Sequence, residues 1–325
     1  MRIARKNGDG EIEISLLDAL SEPPDDALWI DLHGAHPGAI EAVEKLTGVV
    51  LPTQAQMAEI EVSNRLRESH GALVMTCVLL SEQDSDRPIS RAATFVLTRK
   101  RLITIRHSSP KAFDAFAAQL AEDAGWRTTP EMMLCGLWQA IIARTADVIE
   151  RLSGEVEKLN ETVLRPANAR RPVSPEAFRI ALRRVAAAND LTQRIQESLF
   201  SLSRLMSYPE QAAPDRFSPD FRAVAHRLRR DAAALSQHTE FLSGKIAFQL
   251  DAVLGLISVE QNAIIRILSV AATVFLPPTL IASLYGMNFE FMPELAWPHG
   301  YPMALGLMAL SAAAPLLLFK WRGWL

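Results

Sequence analysis

Residues 267–288 read ILSVAATVFLPPTLIASLYGMN, and this run decides how the rest of the chain is interpreted. It contains no Asp, Glu, Lys or Arg, and neither does a second run, PMALGLMALSAAAPLLLF, at residues 302–319. About 20 apolar residues are enough for a helix to cross the hydrocarbon core of a bilayer. We therefore predict two transmembrane helices, at 267–285 and 302–319, rather than two buried helices of a soluble core.

The basic residues around the two spans predict their orientation. Arg266 precedes the first span, Lys320 and Arg322 follow the second, and the connecting residues 286–301 hold no Lys or Arg. The positive-inside rule then places both termini in the cytoplasm and the connecting loop on the outer, periplasmic side. We expect a multi-pass protein of the cytoplasmic (inner) membrane, with the lipid bilayer as a partner.

The residues before the first span read as an α+β fold that begins with an α/β domain and continues in long helices. Runs rich in Val, Ile, Phe and Thr predict short strands, whereas apolar residues from Pro130 onward recur every three, four or seven positions, as in helices. Strands are expected at 11–16, 28–32, 72–80, 92–97 and 102–106. Helices are expected at 37–46, 53–60, 111–121, 130–165, 174–207 and 219–285.

The last of these helices is predicted to continue from the soluble part into the first span, because no Pro or Gly cluster separates the two apolar patterns. At 1.5 Å per residue it would be roughly 100 Å long. The sequence therefore predicts six parts in chain order. They are a cytoplasmic α/β domain (1–125), a cytoplasmic long-helix coiled stalk (126–266), the first transmembrane helix (267–285), a periplasmic loop (286–301), the second transmembrane helix (302–319) and a basic cytoplasmic tail (320–325).

Composition and motifs argue against several classes of protein. A formal net charge of -3 gives no reason to expect nucleic acid as a partner. The chain shows no nucleophile motif, phosphate-binding loop or dinucleotide fingerprint, so we expect neither an enzyme nor an organic cofactor. His33 and His36 lack a third ligand at a clear spacing, and Cys77 and Cys135 are expected to be buried apolar residues.

The residues that join the two spans, 285–295, read YGMNFEFMPEL. Here the chain resembles the CorA family of magnesium transporters, whose Gly-Met-Asn signature is present as Gly286, Met287 and Asn288, between the two spans and before an acidic loop. The resemblance is close over about residues 260–325 and looser over the rest. It implies a homopentameric channel in which the first span lines the pore and the second faces lipid.

The resemblance assigns the selectivity filter to Gly286, Met287 and Asn288. A ring of neutral Asn288 side-chain oxygens suits Mg2+, which gives up its water reluctantly and can be contacted through its hydration shell without being held tightly. Glu290 and Glu294 are predicted to attract cations to the outer mouth by long-range electrostatics, and a merely solvated loop is the alternative.

Behind the filter, one face of the first span carries small, hydroxyl-bearing and apolar side chains spaced three or four residues apart. This face suits a path for a hydrated cation because it holds no acid or base, and ordinary helix packing is the alternative. Leu268 and Leu276 are predicted to form apolar constrictions that close by dewetting. The predicted pore-lining residues are Ile265, Leu268, Ala272, Leu276, Thr279 and Ser283.

Regulation by intracellular Mg2+ is also implied by the resemblance, since Mg2+ bound between cytoplasmic domains favours the closed state in this family. Asp251 lies on the long helix, close to the predicted pore-lining face, and resembles the family's acidic position between subunits. Its candidate partners are Glu82, Asp84 and Asp86, and a solvated carboxylate is the alternative. Mg2+ is therefore expected as both transported ion and regulatory ligand.

The implied function is influx of Mg2+, and also of Co2+ and Ni2+, driven by the membrane potential. A divalent ion that moves through 100 mV gains about 4.6 kcal/mol, so no catalytic residue is needed. Two alternatives remain, a ZntB-like zinc transporter of the same fold and a membrane-anchored cation sensor that does not conduct. The chain departs from the family at the tip between its paired long helices, which is rich in Arg where family members are often acidic.

Overall fold

The computed structural model describes residues 1–7, 11–17, 22–59, 61–81, 88–161, 175–288, 292–293 and 297–323. The chain divides into two compact units. The first comprises Met1–Ala167 and Arg179–Leu250, and the second comprises Asn168–Phe178 and Asp251–Leu325. The helix boundaries predicted at residues 165 and 174 lie outside the described residues.

The first unit is built on a mixed sheet, which has seven strands among the described residues, in the order β2-β1-β3-β7-β6-β5-β4. β3 and β7 pair in parallel, and all other neighbours are antiparallel. The strands are β1 (Arg2–Lys6), β2 (Ile12–Leu16), β3 (Ala27–His33), β4 (Leu66–Ser69), β5 (Ala72–Ser81), β6 (Ile89–Leu97) and β7 (Leu102–Arg106). All ten residues of β5 are buried, because helices cover both faces of the sheet.

Successive side chains of a strand point to opposite faces, so each strand contributes to two separate cores. Ile30 belongs to a cluster with the apolar residues of α1 and α2. The neighbouring Trp29 belongs to a second cluster with Phe116 of α4, against whose ring it packs edge-on at 5.1 Å between centroids. The helices near the sheet are α1 (Pro37–Thr47), α2 (Gln54–Ala58), α3 (Val62–Arg65) and α4 (Lys111–Glu122).

Three long helices complete the first unit: α5 (Pro130–Leu159), most of α6 (Pro175–Ala212) and the part of α7 (Pro219–Tyr285) up to Leu250. Their apolar stripes meet in one buried cluster, as the sequence spacing predicts. Its central members are Leu152 and Val156 of α5, Leu199 and Leu202 of α6, and Leu242 and Ile246 of α7.

α5 and α7 run side by side in the same direction. The Ser218 hydroxyl, just before α7, donates a hydrogen bond to the Glu131 carboxylate at the start of α5, over 2.7 Å. Near the end of α5, Glu157 forms an ion pair with Lys245 of α7. Because both sequence numbers rise together between these contacts, the two helices are parallel.

Three helices in the described part of the chain are long and apolar enough to cross a membrane, namely α5, α7 and α8 (Gly300–Trp321). In α5, 67% of the most apolar window is buried within the fold, so this helix belongs to the core. The corresponding windows of α7 and α8 are 0% and 6% buried. The bilayer requires an apolar surface of this kind on its spanning helices.

α7 is one continuous helix from Pro219 to Tyr285, and it passes through Pro277 and Pro278. This confirms the predicted bounds of the long helix. α8 begins two residues before the predicted second span and ends two residues after it.

The sequence pattern missed two strands of the sheet. β1 buries only Ile3 and Ala4, and its Arg and Lys residues conceal the short apolar pattern. β4 is a four-residue edge strand with charged side chains at Arg67 and Glu68, a composition that protects an open sheet edge. The predicted helix at 53–60 is shorter than expected, because Glu59 already adopts an extended conformation after Ala58.

Candidate functional site

The predicted filter residues follow directly on the last turn of α7. The backbone N–H of Gly286 donates to the Ala282 carbonyl at 2.9 Å, which caps the helix end. A Cβ added at Gly286 would lie 3.1 Å from the same carbonyl oxygen, so a side chain here would crowd the turn. Glycine therefore suits the point at which α7 ends.

Met287 and Asn288 are exposed where α7 ends, with 47% of Met287 accessible. The described part of the chain offers no hydrogen-bond partner to the Asn288 side chain. Its amide group is thus available to contact a ligand outside the chain. Glu290 and Glu294, predicted to attract cations at the outer mouth, lie outside the described residues.

The six predicted pore-lining residues all lie on α7 and are all exposed in the single chain. Leu268 and Leu276 are 70% and 66% accessible, which is unusual for leucine unless lipid or a partner covers it. The hydroxyl of Thr279 donates to the Phe275 carbonyl at 2.7 Å, so its proton stays within the helix and its oxygen can still accept. Residues on the opposite face, such as Ile267, are equally exposed, so exposure alone does not single out a pore-lining face.

Pro277 and Pro278 lie inside α7 and have no N–H to donate. The carbonyls of Thr273 and Val274, four residues earlier, therefore lose their usual helical partners. The Thr273 hydroxyl donates to the Ser269 carbonyl at 2.8 Å in the preceding turn. The middle of this span is consequently the place where its backbone is least tightly bonded.

Asp251 is exposed on α7, as the predicted regulatory position requires. No group of three or more His, Cys, Asp or Glu side chains that could hold a metal ion occurs among the described residues. Glu82, Asp84 and Asp86, the candidate partners of Asp251, lie outside those residues. Any cation site at Asp251 would therefore need groups from beyond the described part of this chain.

The two histidines of the His-x-x-His pair serve the fold. The His33 ring lies 3.1 Å from the Ser109 hydroxyl, and burial together with the nearby Arg106 charge lowers the pKa of His33. The His36 ring accepts the N–H of Gly38 at 3.3 Å and so caps α1. Both rings therefore have local structural partners.

A buried polar network that the sequence pattern did not reveal connects β3 with β7. Asp31 and Arg106 are 1% and 2% accessible and form an ion pair at 2.8 Å. Thr104 donates to Asp31 at 2.8 Å and accepts the indole N–H of Trp29 at 3.1 Å. An Asp within an otherwise apolar strand was the only available signal, because the partner lies 75 residues away.

Comparisons with known proteins match most of the chain. The family model described as CorA-like Mg2+ transporter protein matches residues 24–321. The magnesium transport protein CorA of Pasteurella multocida is 34% identical over 299 residues, which cover 92% of each chain. That of Escherichia coli K12 is 32% identical over 305 residues, which cover 94% of each chain.

The complete structure of the CorA magnesium transporter from Methanocaldococcus jannaschii has the same fold, with a TM-score of 0.78 and 18% sequence identity. The match covers 100% of this chain and 99% of that one. Fold and sequence likeness both extend over the first unit and over α7 and α8. The chain therefore belongs to the family of CorA-like Mg2+ transporter proteins.

Proposed function

We propose that this chain is a subunit of a homopentameric channel that admits Mg2+ to the cytoplasm. The observation that carries the proposal is the exposed apolar helix α7, followed three residues after its end by Asn288, whose side-chain amide has no hydrogen-bond partner among the described residues. Membership of the CorA-like family and the magnesium transport named for its relatives support the choice of ion.

Several copies are required because two helices cannot enclose an aqueous path. Leucines such as Leu268 and Leu276 are exposed on the single chain and need either lipid or another protein surface around them. In a ring of chains, one face of α7 lines the path, and α8 contacts lipid. The number five follows from the family resemblance, and the oligomeric state of the purified protein tests it.

Asn288 provides a neutral amide oxygen from each copy at the outer end of the path. Mg2+ holds its water shell strongly and is usually bound with several waters in place. Amide oxygens can accept hydrogen bonds from that shell, whereas a ring of carboxylates would retain the ion. This balance between entry and release is what conduction requires.

The direction of transport follows from the charge around the spans. Arg266, Lys320 and Arg322 favour a cytoplasmic location for both ends of the hairpin. An inside-negative potential then drives a divalent cation inward without a catalytic group. We include Co2+ and Ni2+ as further cargo, because the sequence of the outer loop resembles the branch of the family that carries them.

Closure by intracellular Mg2+ is assigned to Asp251. The carboxylate is exposed and lies on the same helix as the pore-lining residues, so an ion bound there acts directly on α7. A neighbouring copy is proposed to supply the other ligands. Glu290 and Glu294 are proposed to concentrate cations at the outer mouth.

Growth of a bacterium that lacks its own magnesium uptake systems tests the function. Expression of this chain should restore growth in low Mg2+, and Asn288→Ala should abolish the rescue while the oligomer still assembles. Ser311→Ala on α8 provides the control and should rescue like the unmodified chain. Rescue by Asn288→Ala would remove the filter assignment.

Two further measurements separate the alternatives. If the unmodified chain fails to rescue growth but accumulates radioactive zinc, it is a zinc transporter of the same fold. If purified protein in a planar bilayer binds cations and passes no current, it is a sensor.

A further inference from the structure

The contact between the end of α5 and the cytoplasmic part of α7 contains two polar links within a mainly apolar interface. Lys245 of α7 pairs with Glu157 of α5. One turn further along, the Gln249 side-chain amide donates to the Val156 carbonyl at 2.8 Å. These links join the pore-forming helix to its neighbour just before α7 leaves the first unit at Leu250.

Gln249 lowers the folding stability that an apolar side chain would provide at this position. It is 2% accessible, and its side-chain oxygen has no hydrogen-bond partner in the described part of the chain. A buried acceptor without a partner costs stability, and an apolar side chain of similar length would avoid that cost. The presence of glutamine is therefore better explained by a requirement for a particular position of α7 than by stability.

The sequence of α5 repeats the two polar contacts one turn later. Asn160 lies four residues after Val156, and Glu161 lies four residues after Glu157, so each pair shares a face of the helix. Glu161 is exposed, as Glu157 is, whereas Asn160 is half-buried and Val156 is fully buried. In the opposite direction Lys245 would meet Ser153, which cannot form an ion pair.

We infer that α5 and α7 form a ratchet with two positions, separated by one helical turn. In the first position, described here, Lys245 pairs with Glu157, and Gln249 bonds to Val156. In the second, α7 has moved about 5.4 Å toward the C-terminal end of α5. Lys245 then pairs with Glu161, and the free oxygen of Gln249 accepts from the side-chain amide of Asn160.

Near the end of α5 the apolar part of the interface allows this movement, which also breaks the Ser218–Glu131 hydrogen bond at the start of the two helices. Leu242 and Ile246 of α7 pack in one cluster with Leu152, Val156 and Leu159 of α5. Side chains spaced three or four residues apart form ridges that fit equivalent grooves after a displacement of one turn. One-turn steps between packed elements are a known form of conformational switch.

The end of α5 also departs from regular helix geometry. Residues 160–161 are assigned to a π-helical turn at the end of the described segment, and the N–H of Asn160 bonds to the carbonyls of both Val156 and Glu157. Such turns inside helices frequently occur at functional sites. Here the irregular turn contains both groups that the second position requires.

The effect of the ratchet on ion flow depends on the proposed function. α7 is continuous from these contacts to Leu276, so a step at Lys245 and Gln249 is passed along a single helix toward the predicted constrictions. We assign the two positions to different levels of free Mg2+.

Cysteine pairs in the full-length protein in lipid nanodiscs test the two positions. One variant combines Lys245→Cys with Glu157→Cys, and the other combines Lys245→Cys with Glu161→Cys. A short bifunctional thiol reagent is applied across a range of free Mg2+. The native Cys77 and Cys135 give little background, because both are buried and burial raises the pKa of both thiols.

The ratchet predicts that the two pairs respond to Mg2+ in opposite directions, with a change of about threefold or more in each cross-linking yield. Cross-linking of the 157 pair alone, at every Mg2+ concentration, would overturn it. Mg2+ uptake by the unmodified chain is measured in parallel. Failure of uptake rejects the proposed function, whereas the cross-linking result decides the ratchet in either case.

Two substitutions that each remove one carboxylate provide a matched comparison of the two positions. Glu157→Gln removes the present partner of Lys245 and favours the second position, whereas Glu161→Gln favours the first. Exposed ion pairs are weak, so each should shift the Mg2+ concentration for half closure by about two- to fivefold, in opposite directions. Shifts in the same direction, or none, contradict the ratchet, since a merely structural role gives no reason for opposite signs.

Discussion

Arg106 holds Asp31 inside the sheet through three hydrogen bonds, from Nη2 to Oδ2 at 2.8 Å and from Nε to Oδ1 and Oδ2 at 3.1 and 3.3 Å. The guanidinium also lies 4.8 Å from the centre of the Phe113 ring. The pair connects the two parallel strands at the centre of the sheet with the helix that covers them. Both charges are shielded from water, so each depends on the other.

Removal of one partner should therefore be costly. We expect Asp31→Ala to lower the free energy of unfolding by about 3–5 kcal/mol, because Arg106 would remain charged and buried. Thermal or denaturant unfolding followed by tryptophan fluorescence measures the change. The control is Asp190→Ala, which breaks an exposed pair with Arg194 on α6 and should cost below about 0.5 kcal/mol. Equal effects of the two substitutions would contradict this role of the buried pair.

Two glycines of α5 provide a matched test of packing. A Cβ at Gly136 would lie 2.7 Å from both Phe116 Cε2 and Arg127 Cδ, whereas nothing lies within 4 Å of one at Gly154. We expect Gly136→Ala to destabilise the protein by about 1–3 kcal/mol through overpacking. Gly154→Ala should stabilise it by up to about 1 kcal/mol, since alanine favours helices. The unfolding midpoints of the two variants should move in opposite directions. If both midpoints move in the same direction, α4 does not constrain α5 at Gly136.

The apolar constriction predicted at Leu276 can be tested by replacing the leucine with a polar residue. Leu276→Ser places a ring of hydroxyls where apolar side chains exclude water, so we expect current to persist at Mg2+ concentrations that close the unmodified channel. Planar-bilayer recording measures the residual current. Val274→Ser, about 200° around the same helix, should behave as the unmodified protein does. A closed Leu276→Ser channel would show that the gate lies elsewhere.

The regulatory assignment of Asp251 predicts a change in closure without a loss of conduction. Asp251→Lys replaces a cation ligand by a cation, so a higher Mg2+ concentration should be needed for half closure. Uptake from low Mg2+ should stay near that of the unmodified chain. Glu260→Lys, about 180° around α7, provides the control for charge reversal on the same helix. A closure curve for Asp251→Lys that overlays the unmodified one would end the assignment.

The elements that the sequence predicted well are those whose pattern is long or strongly periodic. The apolar stripe of α7 continues into its membrane-like part without a Gly or Pro cluster between the two, so both ends were predictable. The buried strand β5 is apolar except for Thr76 and Ser81, and it was predicted because this apolar run is long. β1 was missed because five residues with three basic side chains provide too little alternation for detection.

The candidate site was predictable in part. Local spacing placed Leu276, Thr279 and the Gly-Met-Asn residues on one helix and its end, and the structure has them there. Contacts between distant segments were not predictable, since the Lys245–Glu157 pair spans 88 residues and depends on how α5 and α7 align. What surrounds the exposed face of α7 was not predictable either, because it depends on lipid or protein outside this chain.

The buried state of α5 has a consequence for synthesis of the protein. Its last residue, Leu159, leaves the ribosome 108 residues before Ile267, the first residue of the first predicted span. At about 5–20 residues per second, this interval lasts roughly 5–20 seconds. The sheet must enclose α5 during that time, because an unshielded α5 has the length and composition of a membrane anchor. Correct insertion of the last two helices therefore depends on prompt folding of a segment that never enters the bilayer.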